Sequence, residues 1–145
     1  MQLTSYSDYA LRVLIYLAVH PDRLATIEEI ARAYGISKTH LMKVVHGLAR
    51  SGFLQTVRGR RGGIRLARPA ERIRLGDVVR ETEPSLALVE CFDAVPGGCR
   101  IEPACGLRPV LREALDAFLG VLDRHSLADA ARRRPRLLAL LGPGA

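Results

Sequence analysis

The sequence predicts a mainly α protein: a winged helix-turn-helix with a small two-stranded wing, followed by a cysteine-rich loop and a long C-terminal dimerisation helix. Three observations carry that prediction. Two short helical segments meet across a tight turn at Tyr34-Gly35. An Arg/Gly-rich hairpin comes straight after the second of them, over residues 53–66. From about Leu107 the chain then carries a broad apolar helical face outside that small domain. At 145 residues there is room for one domain of ordinary size with an appended element. The expected division is 1–82 for the winged domain, 83–106 for the cysteine-rich loop and 107–145 for the dimerisation helix and tail.

The first helix is expected from about Asp8 to Val19, with Ser7 or Asp8 at its amino end and Pro21 beyond its finish. Tyr9, Ala10, Leu11, Val13, Leu14, Ile15 and Leu17 make it apolar almost all round, the mark of a helix buried from several sides. The second helix opens on Thr26-Ile27-Glu28-Glu29. This is a capping box, in which the Thr hydroxyl and a Glu carboxylate each accept from a free backbone N–H at the helix start. That helix ends near Gly35, and Ser37 stands where it would cap a third helix over about Lys38 to Arg50. There Leu41, Val44, Val45 and Leu48 recur at helical spacing and face inward. Thr39, Lys43 and His46 then point outward, with Lys38 and His40 near the open amino end.

Gly52 stops the third helix, and strands Phe53 to Val57 and Ile64 to Leu66 flank Arg58-Gly59-Arg60-Arg61-Gly62-Gly63 as a wing. A short helix, Arg74 to Thr82, ends at Glu83-Pro84. Beyond Cys105 the long helix begins near Leu107, with Pro109 tolerated in its first turn. Its two adjacent apolar rows are Leu111, Leu115, Phe118, Leu122 and Val110, Ala114, Ala117, Val121. They favour packing against a second copy, the alternative being a return onto its own domain. In the tail, Ser126 is a plausible cap with Asp129 in the following turn, and Arg132-Arg133-Arg134 and Pro135 come next.

Charge is divided unevenly. Residues 1–76 hold thirteen Arg/Lys against five Asp/Glu, while residues 77–145 hold nine against ten. A basic front half joined to a neutral back half suggests a polyanion-binding domain attached to something else. Lys38, Thr39, His40 and Lys43 on the third helix are of a size to reach base edges or backbone in a major groove. Arg58, Arg60, Arg61 and Arg65, on and beside a narrow glycine-rich loop, suit a minor groove over A·T-rich sequence, where the negative potential is enhanced. Arg-Gly turns are also common as plain solvated surface, but the helix pair just upstream favours double-stranded DNA. The apolar stretch Tyr9 to Val19 is too short to span a bilayer and contains Arg12. The amino terminus shows no signal-peptide pattern, so a cytoplasmic protein with no membrane partner is expected.

Cys91, Cys99 and Cys105 are the only cysteines, with seven and five residues between them. Pro96, Gly97, Gly98 and Pro103 lie among them, so the segment is a loop whose thiolates can converge. An odd number cannot close wholly into internal disulfides. In a reducing compartment the set favours a metal centre, zinc or iron–sulfur. Zinc knuckles often use closer cysteine pairs, and the wider spacing here leans toward an iron–sulfur cluster. Either centre usually takes a fourth ligand. Glu90, Asp93 and Glu102 are nearby candidates, though loop carboxylates are more often simply solvated.

The segment Met1 to Arg12, the wing Val57 to Leu66, the stretch Ile73-Arg74-Leu75-Gly76-Asp77-Val78-Val79-Arg80 and the Pro103-Ala104-Cys105 environment carry a resemblance. From residue 1 to about residue 130 the chain resembles the NsrR family, nitric-oxide-responsive repressors among the winged-helix iron–sulfur regulators that also include IscR. The resemblance implies a homodimeric repressor of nitric oxide detoxification genes, bound to an A·T-rich palindromic operator, with nitric oxide as effector. It implies one cluster per subunit, [4Fe–4S] favoured over [2Fe–2S], held by Cys91, Cys99 and Cys105. Asp8 stands at the position of a fourth ligand donated by the partner subunit; by the residues alone it reads as a helix cap. IscR-like members use a histidine just after the third cysteine, and Gly106-Leu107-Arg108 follows Cys105 here. The seven-residue spacer after Cys91 is longer than the family usually shows.

Three rival readings remain: a regulator of the same family that senses iron–sulfur status or oxidants, a zinc-stiffened interaction module, and an enzyme with a thiol nucleophile. The last is disfavoured, because no cysteine sits in a nucleophile motif and the wing glycines lack a phosphate-loop lysine.

Overall fold

Helix α1, Ser5–Val19, is the hub of the fold, a computed structural model that describes residues 1–93 and 99–142. Residues 94–98, which include Pro96, Gly97 and Gly98 of the expected loop, and residues 143–145 lie outside the described residues. Around α1 stand α2 (Ile27–Tyr34), α3 (Lys38–Arg50), the strands β1 (Leu54–Val57) and β2 (Gly63–Leu66), and α4 (Leu75–Thr82). A long α5 (Leu107–Arg124) and the short α6 (Leu127–Ala130) and α7 (Arg134–Leu141) complete the chain. The architecture is mainly helical with one two-stranded antiparallel sheet, a winged helix-turn-helix as the sequence predicts.

The amino end of α1 corrects one expectation. The helix begins at Ser5, and Thr4, not Ser7 or Asp8, is its cap. Thr4 has extended backbone, and its hydroxyl accepts from the Ser7 N–H at 3.2 Å. Glu83, just past α4, accepts from the Thr4 N–H at 2.8 Å and from its hydroxyl at 3.0 Å. Burial works against the Glu83 charge, but the Ser7 and Thr4 donors outweigh it and hold the carboxyl below its ordinary range. The start of α1 is thereby tied to the base of the cysteine loop.

The helix-turn-helix follows from local chemistry. Thr26 and Glu29 form the capping box of α2, and Gly35 ends that helix at φ 64°, a left-handed conformation that glycine adopts without a Cβ clash. Ser37 occupies the cap position of α3 but makes no side-chain cap bond; its carbonyl accepts from the Leu41 N–H at 3.1 Å. Leu41, Val44, Val45 and Leu48 are buried, as their spacing predicts. Glu29 also anchors the interior. Its side chain, 9% exposed, takes the Arg23 guanidinium at 2.7 Å and the Tyr16 hydroxyl at 3.0 Å.

The wing pairs Leu54 with Leu66 and Val57 with Gly63, and the Ala25 and Ile64 backbones bridge it to the segment before α2. A Cβ at Gly63 would meet the Ala25 carbonyl oxygen at 2.7 Å, so glycine allows this close approach. Helix α5 does return onto its own domain along one side: Leu115 and Leu119 pack with Val79 of α4, beside Leu11, Leu86, Leu88, Phe92 and Leu122. Arg80 bonds both oxygens of Asp123, at 2.6 and 2.7 Å, and secures the same junction. Part of the apolar face stays open: Leu107, Val110, Phe118 and Val121 are exposed. Past α5 the chain turns back, and Leu127 is fully buried in the main core with Ile73 and Leu14.

The capping box yields a pH dependence. Burial raises the Glu29 pKa, but the Thr26 amide, Arg23 and Tyr16 together lower it below the ordinary carboxylate value. A carboxylate with a depressed folded pKa stabilises above its unfolded pKa and loses that contribution as pH falls through the folded value. Glu29→Gln should therefore cost about 1–2 kcal/mol at neutral pH. Denaturant melts should show the gap between variant and wild type closing as pH falls below about 4.

Candidate nucleic-acid interface and metal centre

The exposed face of α3 carries Lys38, Thr39, His40, Lys43 and His46. Lys38 makes a loose ion pair with Glu28 at 3.6 Å, on an exposed surface where such pairs contribute little and exchange easily. Beside them Met42 is half-exposed, and with Ile27 and Thr56 it lines a shallow groove between α3 and the wing. Arg58, Arg60 and Arg61 project from the hairpin end and Arg65 from β2, all exposed. Arg65 alone is steered, donating to Gln55 across the strand pair at 3.2 Å. The fold thus presents a helix of hydrogen-bonding side chains next to a cationic ribbon.

Behind α3 lies a contact that sequence reasoning missed. The Tyr9 ring stacks on His40 with centroids 6.5 Å apart. Arg12 lies 5.9 Å from the centroids of both Tyr9 and Tyr34, and the Tyr34 hydroxyl donates to the Arg12 carbonyl at 3.0 Å. Burial pushes the Tyr34 hydroxyl up to about 12, so it stays a neutral donor. The Arg12 guanidinium also holds Asp8, at 3.1 and 2.7 Å. Asp8 stands in the first turn of α1, where the helix dipole favours a carboxylate, but it caps nothing. The i, i+4 spacing of Asp8 and Arg12 was legible in the sequence; the stacking that joins Arg12 to Tyr9 and His40 was not.

The cysteine loop leaves α4 and re-enters the fold at α5, with two single-turn 3-10 segments, Glu90–Phe92 and Glu102–Ala104. All three cysteines are free; Cys91 and Cys105 are half-buried and Cys99 is exposed. Arg108 links the two arms, donating to the Cys91 carbonyl at 3.4 Å and pairing with Glu102 at 3.5 Å. Arg112 covers the Phe92 ring at 3.9 Å. The Cys99 carbonyl accepts from the Glu102 N–H, and the Glu102 carbonyl from the Cys105 N–H. Of the nearby carboxylates, Glu102 is engaged by Arg108, Asp93 receives a long contact from the Ser85 hydroxyl, and Glu90 is exposed.

Among the described residues no three Cys, His, Asp or Glu side chains are gathered closely enough to hold a metal ion. The donor chemistry nonetheless fits an anionic cluster. Three unpaired soft ligands share one loop, and Cys105 directly precedes Gly106, the cap residue of α5. First-turn amides without helical partners and the guanidinium of Arg108 offset negative charge there.

Residues 3–133 match the Rrf2 family, described as an iron-dependent transcriptional regulator. The chain is 51% identical over 142 residues to the HTH-type transcriptional regulator NsrR of Bacillus subtilis, covering 97% of each chain. Among solved structures it is similar to CymR, the global cysteine regulator of B. subtilis, at a TM-score of 0.75 and 25% identity, over 92% of this chain and 98% of that one. It is also similar to IscR of T. potens, at a TM-score of 0.74 and 25% identity, over 92% and 88%. These relatives are regulators, not enzymes, and the thiol-nucleophile reading falls with that.

Proposed function

Because the chain belongs to the Rrf2 family of transcriptional regulators, we propose that it is a homodimeric, cytoplasmic DNA-binding repressor that responds to nitric oxide through an iron–sulfur cluster. The observation that carries this reading is the set of three free cysteines on one loop, set between α4 and α5 of a winged helix-turn-helix. Cys91, Cys99 and Cys105 would hold the cluster, [4Fe–4S] in preference to [2Fe–2S], with Asp8 of a second subunit as the fourth ligand. When bound, the cluster supplies an iron centre that nitric oxide can attack.

The exposed row of α5, with Leu107, Val110, Phe118 and Val121, is the apolar surface that a second subunit would cover. The third helices of such a dimer would enter successive major grooves of a palindromic, A·T-rich operator, and the wings the flanking minor grooves. Lys38, Thr39, His40 and Lys43 would read or grip from the helix; Arg58, Arg60, Arg61 and Arg65 would grip from the wing.

Asp8 supports the coupling between the two sites. In this structure Arg12 meets both of its oxygens, so serving another subunit's loop with one of them would loosen that pair. Arg12 rests on Tyr9 and Tyr34, and Tyr9 rests on His40. A change of partner at Asp8 would therefore reach a residue of the DNA-reading helix through two intervening side chains, Arg12 and Tyr9.

Two experiments test this. Anaerobically purified wild type should be straw-brown, contain iron and sulfide, and lose operator affinity after a few equivalents of nitric oxide. Single Cys→Ala changes at 91, 99 or 105 should abolish stable cluster binding, and Asp8→Ala should keep a cluster with altered spectra or nitric oxide response. Colourless protein containing zinc, or full operator affinity after the visible absorption is bleached, would overturn the assignment. For the DNA face, Arg60→Ala with Arg61→Ala should weaken binding and reduce the salt slope by roughly one unit per lost phosphate contact. Thr39→Ala or His40→Ala should change sequence preference more than salt slope. An unchanged slope in the wing variant would remove the wing from the interface.

A further inference from the structure

The arginines at the start of α7 play no part in the functions above. Arg132, Arg133, Arg134 and Arg136 are all exposed, and no acidic residue follows Asp129 in the sequence. Among the described residues none of the four forms an ion pair. The nearest carboxylate in sequence, Asp129, is taken up by the Ser126 capping box, accepting from its N–H at 2.8 Å. The Ser126 amide holds that carboxyl below its ordinary range, and Arg132 is close enough to help. No further carboxylate lies near Arg133, Arg134 and Arg136 in sequence, and like charges so close repel one another, which favours an external anion between them.

This patch rides on the reading domain. Leu127 is fully buried, its N–H donates to the Ile73 carbonyl at 2.8 Å, and the Leu75 N–H donates to the His125 carbonyl at 3.0 Å. Arg134 itself is fastened, its Nε donating to the Val19 carbonyl at 2.9 Å at the end of α1. The next residues along, His20 and Pro21, line a groove of roughly 630 Å³ whose far side is Gln55, Arg65 and Arg68. Arg65 belongs to β2 of the wing, and Arg68 follows it, over the Phe53 ring at 5.0 Å. Helix α7 is therefore anchored through Arg134 at the end of α1, next to the groove that Arg65 and Arg68 line.

We propose that Arg133 and Arg136, with Arg132, form a second phosphate-gripping patch that continues the cationic track of the wing onto duplex lying outside the operator. The inference rests on the DNA-binding reading above. Its ligand is the sugar-phosphate backbone, so it adds affinity without sequence preference, and its contribution depends on how far the duplex extends. Arg134, which anchors α7, is left out of the test.

An operator is first selected by wild-type protein from a random duplex library, then placed in duplexes of about 26 and about 46 base pairs. Wild type should bind the longer duplex about tenfold more tightly at low salt. Arg133→Gln with Arg136→Gln should bind both lengths equally and show a salt slope on the longer duplex lower by roughly two to four, with the slope on the shorter duplex unchanged. Arg133→Lys with Arg136→Lys should restore the length dependence. A variant that keeps the wild-type length dependence and slope overturns the proposal, and so does one that weakens both lengths equally. If wild type selects no duplex at all, it is the DNA-binding reading that fails, and the flank proposal falls with it.

Discussion

Helix α1 is enclosed by α3, α4, α6, α7 and β2, and this enclosure leaves it little freedom to shift without moving what it touches. Ala10, Val13, Leu14, Tyr16, Leu17 and Val19 are almost wholly buried along its length. Close-packed side chains of this kind transmit displacement, because small voids to absorb it are absent. The opposite ends of the helix meet different parts of the protein. At its start, Thr4 is bonded to Glu83 beside the cysteine loop; at its end, the Val19 carbonyl receives Arg134. One buried helix thus joins the loop, α3 and the tail.

That arrangement lets a change of partner at the start of α1 reach α3. Asp8 and Tyr9 are adjacent in sequence yet serve different neighbours. Asp8 faces Arg12, while Tyr9 stacks on His40 of α3. Arg12 couples the two by sharing its guanidinium between the carboxylate and the aromatic rings. The Asp8–Arg12 pair is more than a third exposed on both sides, so its net strength is modest and a competing partner can displace it. A weak pair set beside the Tyr9–His40 contact is a suitable element for a switch.

The parts of this fold legible in the sequence are those set by local chemistry. The Thr26 capping box, the left-handed Gly35 and the Arg/Gly hairpin each fix a boundary within a few residues, and α2, α3 and the wing stand where those signals put them. The start of α1 was placed three residues late, since Thr4 gains much of its hold from Glu83, 79 positions away. The apolar rows of α5 favour packing against a second copy, whereas Leu115 of one row, and Leu119 outside both, pack with Val79 of α4 through a contact that no helical period reveals. Likewise Leu127 reads as an ordinary tail residue until Ile73 accepts its N–H. Of the candidate site, the cysteines and the outward residues of α3 and the wing were readable from spacing. Tyr9, Arg12 and the fixed position of the α7 arginines needed the tertiary structure.

The central claim is that the state of the cysteine loop is felt at the DNA-reading helix through α1. Amide hydrogen exchange on anaerobically purified protein, before and after nitric oxide, tests it most directly. The account predicts that protection changes in the loop between Leu88 and Gly106 and also in the first turns of α1 and α3, around Asp8, Tyr9 and His40. Changes confined to the loop, with α1 and α3 exchanging identically in both states, would contradict it.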